Sequence, residues 1–379
     1  MCRQTLAKHA GKVRARLGEF ENMELGKRVK ALGMLDRVVV KEGTLTIEGW
    51  AASEGAGRVT GFHASIGGHT CPVVEALPCL PSADVKAAWP GLDDSDCCRF
   101  LLRVALPEGL PSPTRDFLLA VDPLFAQGMG KRLWHMEGPS LPDPPAAFIT
   151  FVGSGFRDVA IEFLDYFVDK GGLKPTDSVL DVGCGVGRMT YGLVNYLSSS
   201  ARYEGFDIIP DLITWAQQEI SPRYPNFQFR LAPIYNGHYN PTGHLKPTDF
   251  VFPYQDDSFE FVFLTSVFTH MSGDVIRHYM DEIRRVLKPG GRGLITCFLL
   301  NGESVSLIDR GKSKLDLSHP RGDGKVADPG NPDYAVGFDE GLFKDWLETR
   351  GLAVVETLYG SWCGRSDYVS YQDMLIVQG

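Results

Sequence analysis

The chain lacks the patterns that identify several large classes of protein. No apolar stretch in its 379 residues approaches the roughly 20 residues of a membrane-spanning helix, and the N-terminus has no apolar run of the signal-peptide type. The eight cysteines form no C-x-x-C pair, and the nine histidines form neither H-x-x-x-H nor H-E-x-x-H. We therefore expect a cytoplasmic protein with reduced thiols, without a membrane span and without a metal site.

The chain also lacks an excess of positive charge. It carries 38 Lys and Arg against 47 Asp and Glu, for a net charge of −9, and no basic run occurs after residue 148. This balance argues against a nucleic acid as partner or substrate, because phosphate backbones are bound by clustered cations. Residues 1–34 are the exception, since basic residues predominate in the first 30. We predict a short, basic helical segment there.

Proline marks a boundary between two parts of the chain. Residues 138–145 read Gly-Pro-Ser-Leu-Pro-Asp-Pro-Pro, a composition typical of a stiff, extended connector, and we take 138–147 as a linker. Between residues 35 and 137, short segments such as 44–48 and 100–106 alternate apolar and polar side chains. Gly67-Gly68 separates two such segments and indicates a hairpin. We predict a small antiparallel β-sandwich accessory domain over 35–137.

One tryptophan of this domain has two interpretations. Residues 49–51 read Gly-Trp-Ala, and with the following segment they resemble β-modules found beside bacterial glycan-modifying enzymes. Trp50 would then be either a platform for a sugar ring or part of the core. We favour the core, because half-buried strands are enriched in aromatic residues.

Residues 178–188, which read Ser-Val-Leu-Asp-Val-Gly-Cys-Gly-Val-Gly-Arg, carry the strongest functional signal of the chain. Val179, Leu180 and Val182 form the short apolar run of a buried parallel strand. The three glycines then turn the chain and let a ligand approach the backbone closely. Ligands of open α/β sheets bind at such strand ends, so we expect a binding site here.

The spacing of the glycines restricts the ligand. Dinucleotide sites use G-x-G-x-x-G, in which a pyrophosphate lies at the helix N-terminus, whereas this loop has G-x-G-x-G. The next predicted strand, 202–206, is followed by Asp207, whose carboxylate would accept both hydroxyls of a ribose. This pairing favours a nucleoside ligand without a pyrophosphate, and it argues against a nicotinamide oxidoreductase.

Four ordered motifs resemble those of the class I S-adenosylmethionine-dependent methyltransferases. Residues 179–187 match the first motif of that family, and 204–207 (Glu-Gly-Phe-Asp) the second. Residues 259–266 are similar to its fourth strand, and 287–291 (Leu-Lys-Pro-Gly-Gly) to the turn before its fifth. The resemblance covers about residues 148–379 and implies a methyltransferase domain that uses S-adenosylmethionine.

The same resemblance implies a Rossmann-like fold: a seven-stranded, mostly parallel sheet with helices on both faces. The periodicity behind the linker agrees with alternating strands and helices. We predict helices over about 156–170, from Pro210 to Ile220 and over 274–287. Another helix should follow the glycine loop, with Met189, Leu193, Val194 and Leu197 on one face. Strands are predicted at 179–183, 202–207, 227–231, 260–265 and 292–299, and an antiparallel pair at 352–358 and 374–377.

The residues that match the family's cofactor motifs are our candidate binding residues. They are Asp181, Gly183, Cys184, Gly185, Gly187, Arg188, Asp207, Ile208, Ile234, Tyr235, Thr265 and Ser266. One position departs from the family: Ala232-Pro233 stands where an acidic residue often lies next to the adenine. Ile234 and Tyr235 then either sandwich the adenine ring or belong to an ordered surface loop over 233–244.

His270 is our candidate for catalysis. Methyl transfer from a sulfonium is an in-line displacement in which the protein aligns donor and acceptor, and a hydroxyl acceptor benefits from a nearby base. His270 follows the predicted fourth strand, and a neutral imidazole accepts a proton near neutral pH. The alternative is a structural histidine that orders the next helix or packs beneath the cofactor.

We predict O-methylation of a hydroxyl on a glycan or on a glycosylated or polyol small molecule. Segments 151–156 and 301–336 are predicted lids, the second as a long polar connector. Tyr334, Trp362, Arg365 and residues 371–373 offer aromatic and polar groups that suit a sugar, and they suit ordinary sheet packing as well. Two alternatives stay open: methylation of another small-molecule oxygen or nitrogen, and a cofactor-binding interaction protein without catalysis.

Overall fold

The computed structural model divides the chain into two units, Met1–Ser140 and Leu141–Gly379. It describes residues 29–41, 43–106, 117–137, 141–153, 155–236 and 239–379. Most of the predicted basic segment 1–34 and the first part of the linker lie outside the described residues. The division between the units falls within the stretch predicted as the linker.

The N-terminal unit consists of two antiparallel sheets. Its elements are β1 (Ala31–Lys41), β2 (Thr44–Ser53), β3 (Gly61–Ile66), β4 (His69–Cys71), β5 (Val73–Leu80), α1 (Ala83–Ala88), β6 (Arg99–Ala105), β7 (Phe117–Phe125), β8 (Gly128–Met129) and β9 (Leu133–Glu137). One sheet has the order β1-β2-β6-β5, and the other joins β4 to β3 and β3 to β7, with β8 and β9 also paired to β7. Both sheets bury side chains in one shared core, for example Ile47 and Leu102 from the first and Val121 from the second.

Alternation along the strands explains this packing. Phe100, Leu102 and Val104 are all buried on one face of β6, as period-two patterning requires. Gly67 and Gly68 form the turn between β3 and β4, both with positive φ (52° and 79°). Trp50 is half-buried and packs against a small cluster that includes α1, which agrees with the predicted core position.

The C-terminal unit is an α/β structure. Its first elements are α2 (Ala146–Val152), α3 (Phe156–Asp165), which continues into a π-helical turn (Tyr166–Lys170), β10 (Val179–Val182), α4 (Thr190–Leu193), β11 (Tyr203–Asp207), α5 (Pro210–Glu219), β12 (Phe227–Leu231), a 3₁₀ turn (Pro247–Asp249), β13 (Phe259–Leu264) and a second 3₁₀ turn (Phe268–His270). They are followed by α6 (Gly273–Val286), β14 (Leu287–Cys297), β15 (Leu299–Leu300), α7 (Gly302–Asp309), β16 (His319–Arg321), β17 (Gly324–Val326), β18 (Val336–Asp339), α8 (Glu340–Glu348), β19 (Ala353–Leu358) and β20 (Asp373–Gln378).

The main sheet of this unit has the strand order β12-β11-β10-β13-β14-β20-β19. The pairings from β12 to β14 are parallel, while β20 is antiparallel to both of its neighbours. Strand order reverses between β10 and β13, and the carboxyl ends of β10, β11 and β13 lie at the same edge. In such sheets the ligand site lies at that reversal, because the connections leave it in opposite directions. The predicted α/β fold is confirmed.

Two predictions about this unit were wrong. Instead of a helix from Met189 to Leu197, only Thr190–Leu193 is helical, since this stretch contains β-branched residues, Asn195 and a glycine, which form helices poorly. The segment 301–336 is not an unstructured connector: α7, β16 and β17 lie within it. Together with β15 and β18 its strands form a small sheet of order β15-β18-β17-β16. Apolar residues in the polar segment, such as Leu317 and Val326, are buried and anchor it.

Candidate active site

A cavity of about 1140 Å³ opens at the carboxyl ends of β10, β11 and β13. Among the predicted binding residues, its wall includes Gly183, Cys184, Gly185, Arg188, Asp207, Ile208, Ile234, Tyr235, Thr265 and Ser266, together with His270. Asp181 and Gly187 lie outside the wall. The volume exceeds the roughly 300–1,000 Å³ typical of a site for one drug-sized ligand, so there is room for two small molecules.

We distinguish two ends of this cavity. The glycine end comprises Gly183, Cys184, Gly185, Arg188, Asp207, Ile208, Ile234 and Tyr235. The tyrosine end comprises Glu162, His270, Asn331, Asp333, Tyr334, Ser361 and residues 368–372, which include Tyr368 and Tyr371.

Backbone conformation explains the glycines of the loop. Gly183 has φ 78°, and a Cβ atom there would lie 2.4 Å from Val267 Cγ2. Gly187 has φ 79°, and its Cβ would lie 2.8 Å from Ile220 Cδ1, so this glycine serves close packing rather than the cavity wall. The loop therefore needs glycine at both positions, for different reasons.

Asp207 holds the glycine loop in place at the end of β11. Its Oδ2 accepts a hydrogen bond from the backbone N–H of Gly185 (2.8 Å), and its Oδ1 accepts one from Ile209 N–H (3.0 Å). Burial raises the pKa of this carboxyl, and the backbone donors oppose the rise. Each carboxylate oxygen has lone pairs for more than one donor, so the group can also accept hydroxyls from the cavity.

Asp181 lies beside the cavity wall and is only 1% exposed. The hydroxyl of Tyr203 donates a hydrogen bond to its Oδ2 (2.7 Å), while Oδ1 has no hydrogen-bond partner among the described residues. Burial raises the pKa of the Asp181 carboxyl to about 8, the Tyr203 hydrogen bond lowers it, and the charge of Asp207 raises it. The pKa of this carboxyl is therefore well above that of an exposed aspartate.

Arg188 points back into the protein. Its Nη2 donates to the carbonyl oxygens of Val152 and Gly153 (3.0 Å to Gly153), and its guanidinium lies 5.5 Å from the centre of the Phe156 ring. Burial lowers the pKa of Arg188. The contacts attach the C-terminal end of α2 to the glycine loop, so Arg188 orders the cavity wall.

The segment after β12 forms a loop that also borders the cavity. Ile234 is 2% exposed and packs in the main core, yet it reaches the cavity wall, whereas the Tyr235 side chain is 54% exposed there. The side chain of Asn240 donates to the Ile234 carbonyl (2.9 Å), and Tyr235 N–H donates to Leu245 O (2.8 Å). The segment is ordered, and the stacking of Ile234 and Tyr235 on an adenine stays a prediction.

Ser266 has an unusual backbone conformation at the junction of the two ends. It has φ 63°, and its N–H donates to Thr296 Oγ1 (2.7 Å). The Gln372 amide donates to Ser266 Oγ (2.6 Å). A non-glycine residue with positive φ is strained, and such strain is concentrated at functional sites. Thr265, the residue before it, also lies on the wall.

His270 lies in the 3₁₀ turn after β13 and reaches the tyrosine end. Its Nδ1 is 2.8 Å from the carbonyl oxygen of Asp333. A carbonyl only accepts hydrogen bonds, so Nδ1 carries a hydrogen and donates it to this oxygen. Nε2 is the ring nitrogen that this hydrogen bond does not use.

Aromatic side chains with large exposed faces line this cavity. Their exposed fractions are 53% for Phe151, 54% for Tyr235, 56% for Tyr334, 55% for Tyr368 and 42% for Tyr371. Exposed apolar side chains that line one cavity are typical of a ligand-binding groove.

Polar groups that the sequence analysis missed lie between these rings. Glu162 Oε1 accepts hydrogen bonds from Tyr166 OH (2.9 Å) and Ser370 Oγ (2.8 Å). Arg321, Asn331 and Asp333 reach the wall from the small sheet and the loop before β18. No motif identifies these residues, because their positions depend on how distant segments pack together.

Two residues for which the sequence allowed either contact with a sugar or ordinary sheet packing are buried. Trp362 is completely buried, and its Nε1 donates to Asp373 Oδ2 (2.7 Å). Arg365 is 5% exposed and pairs with Asp373 (3.1 Å) and Glu303 (2.9 Å). They hold the loop between β19 and β20, whose other residues form the wall. For these two residues the structure agrees with the packing alternative.

Two further searches of the described residues concern metals and membranes. Within this part of the chain, no group of three or more His, Cys, Asp or Glu side chains is arranged to hold a metal ion. No helix within it has both the length and the apolar character needed to cross a bilayer.

Comparison with known proteins identifies the domain. Residues 179–291 match the model of a family described as a methyltransferase domain. A probable methyltransferase of Aspergillus luteorubrus is 32% identical over 126 residues, which cover 31% of this chain and 39% of that protein. An uncharacterized methyltransferase of Schizosaccharomyces pombe is 29% identical, with the same coverage. Phosphoethanolamine N-methyltransferase 1 of Arabidopsis thaliana is 27% identical over 41% of this chain and 28% of its own length.

Solved structures resemble the C-terminal unit at low identity. A protein of Pyrococcus horikoshii is 18% identical with a TM-score of 0.41, over 61% of this chain and 94% of that chain. A SAM-dependent methyltransferase from Aquifex aeolicus is 16% identical with a TM-score of 0.40, over 62% and 99%.

The curated relatives are matched over only part of their own length. This chain spans 39% or less of the length of the curated relatives named above. The predicted class I S-adenosylmethionine-dependent methyltransferase domain in the C-terminal part is confirmed, and S-adenosylmethionine is the cofactor of such a domain.

The residues at the glycine end fit this cofactor. A Cβ atom at Gly183 would fill space beside Val267, Asp207 has spare acceptor capacity, and Asp181 Oδ1 is a buried acceptor without a partner among the described residues. A cationic amino-acid nucleoside matches such a set of acceptors beside an open backbone.

Proposed function

We propose that this chain, whose C-terminal unit carries a class I S-adenosylmethionine-dependent methyltransferase domain, transfers a methyl group to a hydroxyl of a small polar acceptor. The acceptor would be a sugar, a glycosylated small molecule or another polyol, bound at the tyrosine end of the cavity. A cytoplasmic location stays part of this prediction.

The observation that carries the proposal is the hydrogen bond of His270. Its Nδ1 donates to the Asp333 carbonyl at 2.8 Å, which leaves Nε2 as the nitrogen that would accept a proton at the tyrosine end. A hydroxyl loses its proton as the new carbon–oxygen bond forms, and a positioned base assists this step. His270 would take that proton and later release it to solvent.

The proposed cofactor contacts follow from the glycine end. Bound S-adenosylmethionine supplies a methyl group on a positively charged sulfur. Asp207 would accept the ribose hydroxyls, the backbone at Gly183 and Gly185 would border the amino-acid part, and Thr265 and Ser266 would lie near the junction. The protein thereby aligns two reactants, which is the main contribution it can make to a displacement of this kind.

The tyrosine end supports a polyol acceptor. Exposed rings of Tyr334, Tyr368 and Tyr371 provide apolar faces, while Glu162, Gln372 and Asp333 provide hydrogen-bonding groups between them. Sugars present alternating apolar faces and hydroxyl edges, which need this mixture. The cavity volume of about 1140 Å³ supports an acceptor beside the cofactor.

An amine acceptor is the second candidate, and Glu162 is the observation that favours it. A carboxylate among exposed aromatic rings also suits an ammonium group. One relative of this chain is named as a phosphoethanolamine N-methyltransferase. A protein that binds the cofactor without catalysis is the third reading, and the same experiment separates all three.

The test is incubation of the full chain with isotopically labelled S-adenosylmethionine and a panel of sugars, polyols and amines, followed by mass spectrometry. We expect a product one methyl group heavier from a hydroxyl compound. Product from amines only would favour the second candidate. Tight cofactor binding without any product would favour the third.

A further inference from the structure

A buried carboxyl group adjoins the glycine end of the cavity. Asp181 is the third residue of β10, two positions before Gly183, and is 1% exposed. Tyr203 OH donates to Oδ2 at 2.7 Å, and Oδ1 has no partner among the residues that the structure describes. Only one of the two carboxyl oxygens therefore has a hydrogen-bond partner among the described residues. An unpaired negative charge is unfavourable at such a buried position.

The groups around Asp181 do not balance such a charge. From β11 it is faced by Tyr203 and by Asp207, and from the glycine loop by Cys184, whose thiol senses the charge of Asp181. Strand β13, on the other side of β10, places Phe263 beside it. These neighbours are neutral or negative.

Hydrogen bonding distinguishes Asp181 from Asp207. Asp207 accepts two backbone N–H donors, from Gly185 and Ile209, which favour its ionised form. Asp181 accepts one hydrogen bond, from a neutral phenol. If one of the two neighbouring carboxyl groups retains a proton, it is Asp181, and burial raises its pKa to about 8.

We propose that Asp181 holds a proton in the cofactor-free protein, releases it to solvent when positively charged S-adenosylmethionine binds, and regains one after methyl transfer. The sulfonium carries a positive charge that the thioether product, S-adenosylhomocysteine, lacks. A nearby positive charge in a wall of low dielectric favours the ionised carboxylate, and its loss favours the protonated one. The acceptor's own proton is separate and goes to His270.

This inference rests on the proposed function only in placing the cofactor at the glycine end. Its consequence is that the site should distinguish the cofactor from the demethylated product. Because binding of the cofactor releases a proton, its association constant should rise up to about tenfold per pH unit below pH 8 and then level off. The association constant of the product should rise less, so the preference for cofactor over product should grow up to about pH 8 and stay level above it.

The test is titration calorimetry of the full chain at pH 7 in phosphate and in Tris, whose ionisation enthalpies differ. The two buffers together give the number of protons released per ligand bound. We expect S-adenosylmethionine to release up to about one proton more from the wild type than from Asp181→Asn. For S-adenosylhomocysteine the difference between these proteins should be much smaller. Titration of the ligands themselves is the same for both proteins and cancels in the comparison.

The matched control is Asp309→Asn, the same substitution at an exposed site on α7, which should behave as the wild type. Equal proton release from wild type and Asp181→Asn, with clear binding of S-adenosylmethionine, would overturn this inference and leave the proposed function intact. Failure of both ligands to bind a folded chain would overturn both.

A second variant covers a failure of Asp181→Asn to fold. Tyr203→Phe removes the hydrogen bond that lowers the pKa of Asp181, so the pH at which cofactor affinity levels off should move upward. An unchanged pH dependence would contradict the proposal.

A ligand-free measurement gives a further check on Asp181. Its pKa is raised from an ordinary value of 3.8 to about 8 in the folded chain, so stability is lost as pH rises between those values. The melting temperature of Asp181→Asn relative to wild type should therefore increase from about pH 5 to pH 8 and stay level above it. A difference that does not depend on pH would show that Asp181 is ionised throughout.

Discussion

The two ends of the cavity are built from different parts of the chain. The glycine end is formed largely by residues that directly follow β10 and β11, so its geometry depends on two adjacent strands and the turns after them. The tyrosine end combines α3, the turn after β13, the loop before β18 and the loop between β19 and β20. The first is therefore a local structure, and the second depends on tertiary packing.

This difference separates two tasks. A site that binds one fixed cofactor can be built from a short motif with backbone groups and one carboxylate. A site for a variable acceptor needs side chains from several distant segments. Substitutions at the tyrosine end should therefore change transfer without changing cofactor binding, and those at the glycine end should do the reverse.

The sharpest test of this separation is His270→Gln. If Nε2 is the base, transfer should slow by roughly 10²–10⁴, since proton transfer by a positioned base contributes that much. Cofactor affinity should stay within about threefold, well under 1 kcal/mol. Single-turnover kinetics and calorimetry measure the two quantities. A variant with normal turnover would remove His270 from the mechanism, and a parallel loss of affinity would show that the two ends are not independent.

The converse test is Asp207→Ala at the glycine end. Loss of the hydrogen bonds to a charged group should weaken cofactor binding by roughly 1.5–3 kcal/mol, or about 10- to 150-fold. Asp207→Asn provides the comparison, because it keeps the shape and one acceptor oxygen. An unchanged dissociation constant for Asp207→Ala would place the ribose elsewhere.

The smallest expected effect compares two glycines with positive φ. Gly311→Ala should cost about 1–2 kcal/mol of stability, because Gly311 has φ 65° and nothing within 4 Å of an added Cβ. Gly183→Ala should cost about 1–3 kcal/mol more, since the added methyl group meets Val267. Denaturant unfolding measures both. Equal losses would mean that the glycine loop has room for a side chain.

The same contrast explains what the sequence could predict. Strands β10, β11 and β13 follow from apolar runs, and Gly183 and Asp207 follow from their spacing after those strands. The direction in which a side chain points could not be predicted from the sequence. Arg188 turns inward to carbonyl oxygens at the end of α2, and Gly187 allows close packing against Ile220. Local patterns state where a residue stands in the chain but not which neighbour its side chain will reach.

The tyrosine end shows this limit most clearly. From the sequence, Trp362 and Arg365 suited either an acceptor or sheet packing, and in the structure the buried carboxylate of Asp373 binds both. Glu162 is 208 residues from the serine with which it pairs, and no periodicity relates such positions. The small sheet within 301–336 was missed because polar composition concealed a few buried anchors such as Leu317.

The small sheet of β15 to β18 supplies part of the cavity wall from outside the main sheet. Strands β16 and β17 and the loop before β18 supply Arg321, Asn331, Asp333 and Tyr334 to the cavity, but they are not part of the seven-stranded sheet that carries the glycine loop. Residues 319–332 can therefore be varied without changing the sequence of the glycine loop, whereas the Asp333 carbonyl must keep its position because it holds Nδ1 of His270. A combinatorial library restricted to residues 319–332 would test whether the acceptor changes while cofactor binding is retained.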